Sequence, residues 1–196
     1  EVVSTVSQTL SPISSEEKAL LRQLSEYAAK SSQRADCKAQ TLIDWLKTTL
    51  RPGGKWNEER VIIFTEYRAT QKWLFDLLAR EDFAANGRLE MIYGGMPNDQ
   101  REPIKAAFQA HPKESAVRIL LATDAASEGV NLQNHCSKLI HFEIPWNPNR
   151  MEQRNGRVDR HGQKADEVHI HHFVGRGFDT ARVSGKVGEL EGDLEF

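Results

Sequence analysis

The stretch VRILLATDAASEGVNLQ, residues 117–133, joins a mostly apolar run to a polar turn, and this arrangement decides the fold. The apolar run at 117–122 is typical of a strand that is buried on both faces of a sheet. Comparable runs occur at 61–64, 89–93, 139–142 and 168–174, and helical patterns near 69–81, 99–110 and 148–160 lie between them. This alternation predicts an α/β fold, in which helices cover both faces of a parallel sheet and the crossovers are right-handed.

The carboxyl ends of the predicted strands are the expected place for function, because open parallel sheets bind their ligands there. Four segments follow the strands directly: 65–68, 94–98, 123–129 and 143–160. The sequences of these four segments are also the most unusual in the chain. We therefore expect the functional residues to lie in these four segments.

Two amphipathic helices are predicted ahead of the sheet. The residues SSEE at 14–17 offer a capping box, and apolar residues recur at helical spacing in 20–28 and again in 42–50. The two helices are expected to pack together. Because Pro52, Gly53 and Gly54 then break the pattern, we predict three parts: an N-terminal helical lead-in at 1–50, the α/β lobe at 51–175, and a weakly ordered acidic tail at 176–196.

The composition narrows the class of protein. A formal charge of −2 gives no bulk attraction to nucleic acid, so any such binding must come from local patches. No apolar run is long enough to cross a membrane. The two cysteines, Cys37 and Cys136, lack CxxC spacing and suit a reducing compartment. With no signal-peptide pattern at its start, the chain is expected to be cytoplasmic and to be cut from a longer protein.

The basic segment QRNGRVDRHGQ at 153–163 is the clearest candidate for chemistry. On a helix of 3.6 residues per turn, Gln153, Arg157 and Arg160 fall at roughly 0, 40 and 340 degrees, which is one face. Guanidinium groups bind phosphate bidentately and stay charged. The alternative is a solvated basic face whose arginines pair with acidic neighbours. Gly156, in the middle of this predicted helix, would be explained by a close approach of a neighbouring lobe or ligand.

Read together with its neighbours, this segment resembles a known motif. QRNGRVDRHGQ, preceded by PWNPNRMEQ, resembles motif VI of superfamily 2 helicases in the form typical of SWI/SNF-type ATPases. LLATDAASEGVNLQ resembles motif V, in the version of the bacterial HepA/RapA-like branch. FTEY at 64–67 resembles motif IV, and YGGM at 93–96 resembles the segment that follows it. The resemblance covers residues 36–174 and implies the second RecA-like lobe of such a motor.

The resemblance also implies roles for individual residues. The catalytic residues would be Arg157 and Arg160, as arginine fingers, together with Gln153. The nucleotide would lie near Asp124, Glu128, Gly129, Arg157 and Arg160. Nucleic acid would contact Thr65, Gly94, Gly95, Thr123 and Ser127. For Asp124 a simple helix cap is the alternative, and for Gly94 and Gly95 a plain turn is the alternative.

Two motifs that an ATPase needs do not occur in this sequence. There is no GxxxxGK[ST] phosphate loop and no acidic DExH-type box. ATP and Mg²⁺ are therefore expected to be held mainly by a first RecA-like lobe, and the isolated chain is expected to be inactive. The full protein would translocate along double-stranded DNA. A strand-separating RNA or DNA helicase and a non-catalytic docking module are the two alternatives.

The remaining features lead to weaker expectations. Trp146 is expected to pack where the basic helix begins, with Asn147 or Asn149 as the cap, and stacking on a base is the alternative. The alternating His169, His171 and His172 lack the spacing of a zinc site, so no metal site is predicted. The resemblance to the bacterial branch implies a bacterial cytosol or nucleoid as the location, and a protein partner such as RNA polymerase or a phage-defence complex. No membrane partner is expected.

Overall fold

The computed structural model describes residues 13–32, 34–124 and 132–175, and the chain divides into two units, residues 1–34 and 35–196. The first unit holds helix α1 (Ser15–Ser31), which begins with the predicted capping box. The Glu17 amide donates to Ser14 Oγ at 3.2 Å, and the Ser14 amide donates to Glu17 Oε2 at 2.8 Å. No residue of α1 is buried. The apolar stripe that was expected to pack is therefore exposed.

The second unit contains a sheet of five parallel strands in the order β2-β3-β1-β4-β5. The strands are β1 (Val61–Thr65), β2 (Leu89–Ile92), β3 (Ile119–Thr123), β4 (Lys138–His141) and β5 (His169–His172). The helices of this unit are α2 (Cys37–Leu50), α3 (Arg68–Arg80), α4 (Asn98–Gln109) and α5 (Pro148–Asn155). Each predicted strand is present and all pairings are parallel, so the predicted fold class is confirmed.

Alternate residues of the central strand pack on opposite faces of the sheet, as the two-residue period of a strand requires. Val61 and Ile63 lie in a core with apolar residues of α2 and α3. Ile62 and Phe64 lie in a second core with Phe108 of α4 and with Val158. Both faces are thus covered, which explains why the whole strand is apolar.

Helix α2 belongs to the lobe rather than to a lead-in. Leu42, Ile43 and Leu46 are at most 1% exposed and pack in the same core as Val61. The chain divides between residues 34 and 35, so the boundary predicted at the Pro52–Gly54 turn is wrong. That turn, in which Gly53 and Gly54 have positive φ, connects two elements of one domain.

Helix α5 is shorter than the predicted helix 148–160. It ends at Asn155, Gly156 is its C-cap, and turns follow at 156–158. Asn155 and Gly156 both have low helix propensity, which favours an end at this point. Gly156 therefore ends the helix, and no close approach of a ligand or lobe is needed to explain it. The Asn147 cap is confirmed, because Asn147 Oδ1 accepts from the Asn149 amide at 3.0 Å.

A buried arginine lies at the amino-terminal end of the central strand. Arg60, just before β1, is 1% exposed, and its Nη1 donates to the carbonyl oxygens of Phe108 and Ala110 where α4 ends, while its Nε donates to that of Val117. Burial lowers the pKa of Arg60 to about 10, so the group is still charged at neutral pH. Its charge is stabilised by helix-end carbonyl groups. None of the helices in the described residues has the length and apolar character to cross a membrane.

Candidate functional site

A cleft of about 420 Å³ lies at the carboxyl ends of the strands. All four segments in which function was expected contribute to its lining, together with Tyr93: Glu66, Arg68, Tyr93, Gly94, Thr123, Asp124, Arg150, Gln153, Arg154 and Arg157. The first six of these residues lie at or just after the ends of β1, β2 and β3, and the last four belong to α5 and the turn after it. The cleft is therefore where the sheet topology places a ligand.

The lining of the cleft is predominantly cationic. Four arginines face two carboxylates, those of Glu66 and Asp124. Arg150 Nη1 lies 3.9 Å from Glu66 Oε1 and 4.0 Å from Asp124 Oδ2, distances at which the ion pairs are loose. Because both carboxylates already have arginine neighbours, the surplus guanidinium groups suit an anion with several oxygens.

Arg154 fixes α5 to the end of β3. Its side chain is 1% exposed, its Nε donates to Asp124 Oδ1, and its Nη2 donates to Asp124 Oδ2 at 3.0 Å. Its Nη1 also donates to the carbonyl oxygen of Glu143 at 2.7 Å. A bidentate pair of this kind holds two elements in one orientation. Arg154 was not among the residues predicted from the sequence, although its place within the basic motif was a signal for it.

His141, the last residue of β4, completes this buried network. Its Nε2 lies 2.8 Å from Asn155 Oδ1, and its Nδ1 lies 3.4 Å from Arg154 Nη1. Asn155 Oδ1 can only accept and Arg154 can only donate, so Nε2 carries the proton and the ring is neutral. Burial lowers the pKa of His141, and the Arg154 charge lowers it further, whereas the hydrogen bond to Asn155 raises it.

Gln153 and Arg157 both line the cleft, but Arg160 does not. The predicted common face of these three residues is wrong, because α5 ends at Asn155 and both arginines lie beyond it. Arg157 Nε is buried and has no hydrogen-bond partner in the described part of the chain. Arg160 is exposed. The two candidate fingers thus have different environments in this structure.

Some of the residues that were predicted to contact nucleic acid line the cleft, and others do not. Thr65 is fully buried and does not line the cleft, so its side chain does not reach a ligand bound there in this arrangement. Gly94 and Thr123 do line the cleft, and the Gly94 amide donates to Thr123 Oγ1 at 3.2 Å. Gly95 has a φ of 81° and lies outside the lining. Ser127, Glu128 and Gly129 lie outside the described residues.

Glu143 caps helix α3 from a distant part of the sequence. Its Oε2 accepts from the amides of Glu66 and Tyr67 at 2.8 and 3.3 Å, and its Oε1 accepts from Thr70 Oγ1 at 2.9 Å. Tyr67, the N-cap residue, has no side-chain cap of its own. Glu143 therefore links the segment after β1 to the segment that leads into α5.

Two aromatic side chains, Trp146 and Tyr93, lie in contrasting environments. Trp146 is 99% exposed, so the expected packing where α5 begins is wrong. The guanidinium of Arg68 stacks on the ring of Tyr93, with Arg68 Cζ 3.7 Å from the ring centroid. Arg68 was not singled out from the sequence, although it lies in the segment after β1 where function was expected.

Comparison with known proteins agrees with this fold. The family model of the helicase conserved C-terminal domain matches residues 38–162, which is more than half of the chain. The chain is 40% identical over 118 residues to the uncharacterized ATP-dependent helicase YqhH of Bacillus subtilis (strain 168), covering 60% of this chain and 19% of that protein. It is 30% identical over 141 residues to the RNA polymerase-associated protein RapA of Vibrio vulnificus (strain YJ016), covering 71% of this chain and 13% of RapA.

Two solved structures share the fold. The C-terminal part of the Fun30 ATPase domain matches with a TM-score of 0.60 and 19% identity, over 87% of this chain and 54% of that one. Domain 2 of the DEAD-box helicase Mss116p, bound to an RNA duplex, matches with a TM-score of 0.55 and 17% identity, over 69% of this chain and 50% of that one. The chain spans less than a fifth of the curated relatives described above. With its parallel sheet and its cationic cleft, it belongs to the helicase conserved C-terminal domain family and is the C-terminal, RecA-like lobe of a superfamily 2 helicase.

Proposed function

We propose that this lobe is the second motor lobe of an ATP-dependent translocase on double-stranded DNA. In this proposal Arg157 and Arg160 act as arginine fingers on ATP held by a first lobe, and Gln153 assists them. The observation that carries the proposal is the buried Nε of Arg157, which has no partner among the described residues and borders a cationic cleft. A buried donor without a partner is costly, and an incoming phosphate oxygen would satisfy it.

The donor set of the cleft suits a triphosphate better than a metal ion. Mg²⁺ prefers carboxylate oxygens and water, yet Asp124 is already bound by Arg154. Mg²⁺ is therefore assigned to the first lobe, and this lobe would supply positive charge where negative charge develops on the transferred phosphoryl group. Asp124, Glu128 and Gly129 are proposed to border the nucleotide.

The nucleic acid is proposed to contact Gly94, Gly95, Thr123 and Ser127. Gly94 has no side chain, which permits a close approach of a phosphate to the backbone. The exposed indole of Trp146 supports a nucleic-acid contact as well, because it is free to stack. Stacking, the minor alternative for Trp146 in the sequence, is thus the better explanation of its exposure.

The experiment is steady-state ATP hydrolysis by the full-length protein, with and without duplex DNA. Arg157→Ala and Arg160→Ala should each reduce turnover about a thousandfold, because a finger acts on the transition state, while binding of a fluorescent ATP analogue is largely retained. Arg80→Ala, in the last turn of α3, is the matched control and should hydrolyse normally. Wild-type turnover in both finger variants would refute the assignment, as would hydrolysis by the isolated chain.

A strand-separating helicase is the second candidate function. It is favoured by the fold of Mss116p domain 2, whose structure contains an RNA duplex. Comparing duplex DNA with duplex RNA as activators, together with a strand-displacement assay, distinguishes the two. Stimulation by duplex DNA without displacement supports the translocase, and ATP-dependent displacement supports the helicase.

A docking module without catalysis is the third candidate. RapA is named for its association with RNA polymerase, and RNA polymerase or a phage-defence complex is accordingly proposed as a partner in a bacterial cytosol or nucleoid. Copurification of RNA polymerase with the full-length protein tests this partner. If Arg157→Ala retains the partner and the cellular function, the docking module is the better description.

A further inference from the structure

Arg68 lines one wall of the cleft. The arginines of α5 and of the turn after it line the opposite wall, as the order of the strands in the sheet requires. It is the first residue of α3, after β1, and its guanidinium lies over Tyr93, which follows the edge strand β2. Gln153, Arg154 and Arg157 come instead from the segment after β4, on the other side of β1. The cleft therefore has cationic groups on two walls.

A buried glutamine holds Arg68 in place. Gln71 is fully buried, and its Nε2 donates to the carbonyl oxygens of Ile92 and Leu121 at 2.8 and 3.0 Å. Both amide protons are thus used. Gln71 Oε1 accepts from Arg68 Nη1 at 2.9 Å. The guanidinium is accordingly attached to the ends of two strands through one rigid side chain.

The remaining donors of Arg68 are left for a ligand. Nη1 also donates to Met91 Sδ at 3.2 Å, which uses its second proton. Neither Nε nor Nη2 of Arg68 donates to any group in the described ranges, and no carboxylate there lies within ion-pair distance of it. An exposed arginine is normally mobile, but stacking on Tyr93 and the bond to Gln71 fix this fork in advance. A fixed guanidinium fork that lacks a carboxylate fits a phosphate.

We propose that Arg68 binds a backbone phosphate of the nucleic acid, as a contact separate from the arginines that face the nucleotide. This inference rests on the proposed function, which assigns the wall formed by Arg157 to ATP. The wall formed by Arg68, Tyr93 and Gly94 then faces the polynucleotide. Nucleic acid and ATP both carry the phosphate oxygens that Arg68 would bind, so the experiment has to distinguish these two ligands.

The test compares three variants of the full-length protein: Arg68→Gln, Arg68→Lys and Arg80→Gln. The readouts are the Kd for a fluorescein-labelled DNA duplex over a series of salt concentrations, and the KM for ATP at saturating duplex. Duplex RNA of the same sequence is measured in parallel. Arg80, on the same helix but outside the cleft lining, matches the loss of one charge.

Arg68→Gln should weaken duplex binding about tenfold, since a charge-assisted hydrogen bond is lost. It should also reduce the slope of log K against log salt by about one, with the KM for ATP unchanged. Arg68→Lys should restore the slope but not the full affinity, because lysine lacks the fork. Arg80→Gln should change neither readout.

Two results would overturn the proposal. One is a raised KM for ATP in Arg68→Gln with unchanged duplex binding, which would assign Arg68 to the nucleotide. The other is the same duplex affinity and slope in Arg68→Gln and Arg80→Gln. Failure of the proposed function is distinguishable, because it would appear in the unmodified protein as hydrolysis that no nucleic acid stimulates.

Discussion

Arg154 and Asp124 form a bidentate ion pair that ties helix α5 to the end of strand β3, with Arg154 Nη2 3.0 Å from Asp124 Oδ2. Asp124 was predicted to border the nucleotide, and the structure gives it a second role as the carboxylate that holds a buried guanidinium. Gln153 and Arg157 flank Arg154 in the sequence and both line the cleft. The ion pair therefore sets the position of residues on which the proposed chemistry depends.

Breaking this pair should cost stability. Arg154→Leu leaves the Asp124 carboxylate without its main partner, and removal of one member of a buried pair costs about 3–5 kcal/mol. The free energy of unfolding from urea titration is the measurement. Arg150→Gln is the control, since Arg150 is 55% exposed and its pairs at 3.9–4.0 Å should contribute less than about 1 kcal/mol. Equal losses in the two variants would contradict this account.

The cap that Glu143 provides for α3 should be measurable locally. Glu143→Ala removes the acceptor of the Glu66 and Tyr67 amides, and loss of an N-terminal cap costs about 1 kcal/mol. Hydrogen exchange at these two amides should accelerate more than exchange at the end of α3. Glu143→Gln keeps an acceptor and should show a smaller change. Unchanged protection in Glu143→Ala would mean that the cap contributes nothing.

The fold could be predicted from the sequence because its determinants are local. Apolar runs such as 117–122 mark strands that are buried on both faces, and short helical patterns between them permit only parallel crossovers. The cap at Asn147 and the capping box of α1 are also local, and both were correct. The position of the cleft followed from topology alone.

The site was harder to predict, for physical reasons. A helical wheel extended past Gly156 assumed that α5 continues, whereas Asn155 and Gly156 end it. The same wheel placed Arg154 off the supposed functional face, and that side chain turned out to be the buried one. Glu143 and Glu66 are 77 positions apart, so no sequence spacing could reveal their contact. Thr65 was predicted to lie in the segment after the first strand, yet it is the buried last residue of the central strand.

Arg60 should be important for stability at the amino-terminal ends of the strands, away from the cleft. Arg60→Met removes the donor for the Phe108 and Ala110 carbonyl groups at the end of α4. Each buried acceptor left without a partner costs about 1–3 kcal/mol, so a loss of at least about 2 kcal/mol is expected. Thermal and urea unfolding give the value. A loss no larger than that of Arg80→Met, at an exposed position, would refute the assignment.

The buried His141 should make stability depend on pH. Burial lowers its pKa from the ordinary value of 6.5, so the unfolded chain takes up a proton at a higher pH than the folded chain does. The contribution of the neutral ring is therefore fully present above about pH 6.5, and it is lost as the pH falls below that value toward the folded pKa. The new charge would face Arg154, whose Nη1 lies 3.4 Å from His141 Nδ1.

The test is the melting temperature of the chain and of His141→Gln between about pH 7.5 and pH 5.5, the range in which histidine titrates. The unmodified chain should lose more stability on acidification than the variant does. His135 and His171, whose pKa values burial also lowers, are present in both proteins and cancel in the comparison. If the two melting temperatures fall in parallel, protonation of His141 does not limit the stability of the network that holds Arg154.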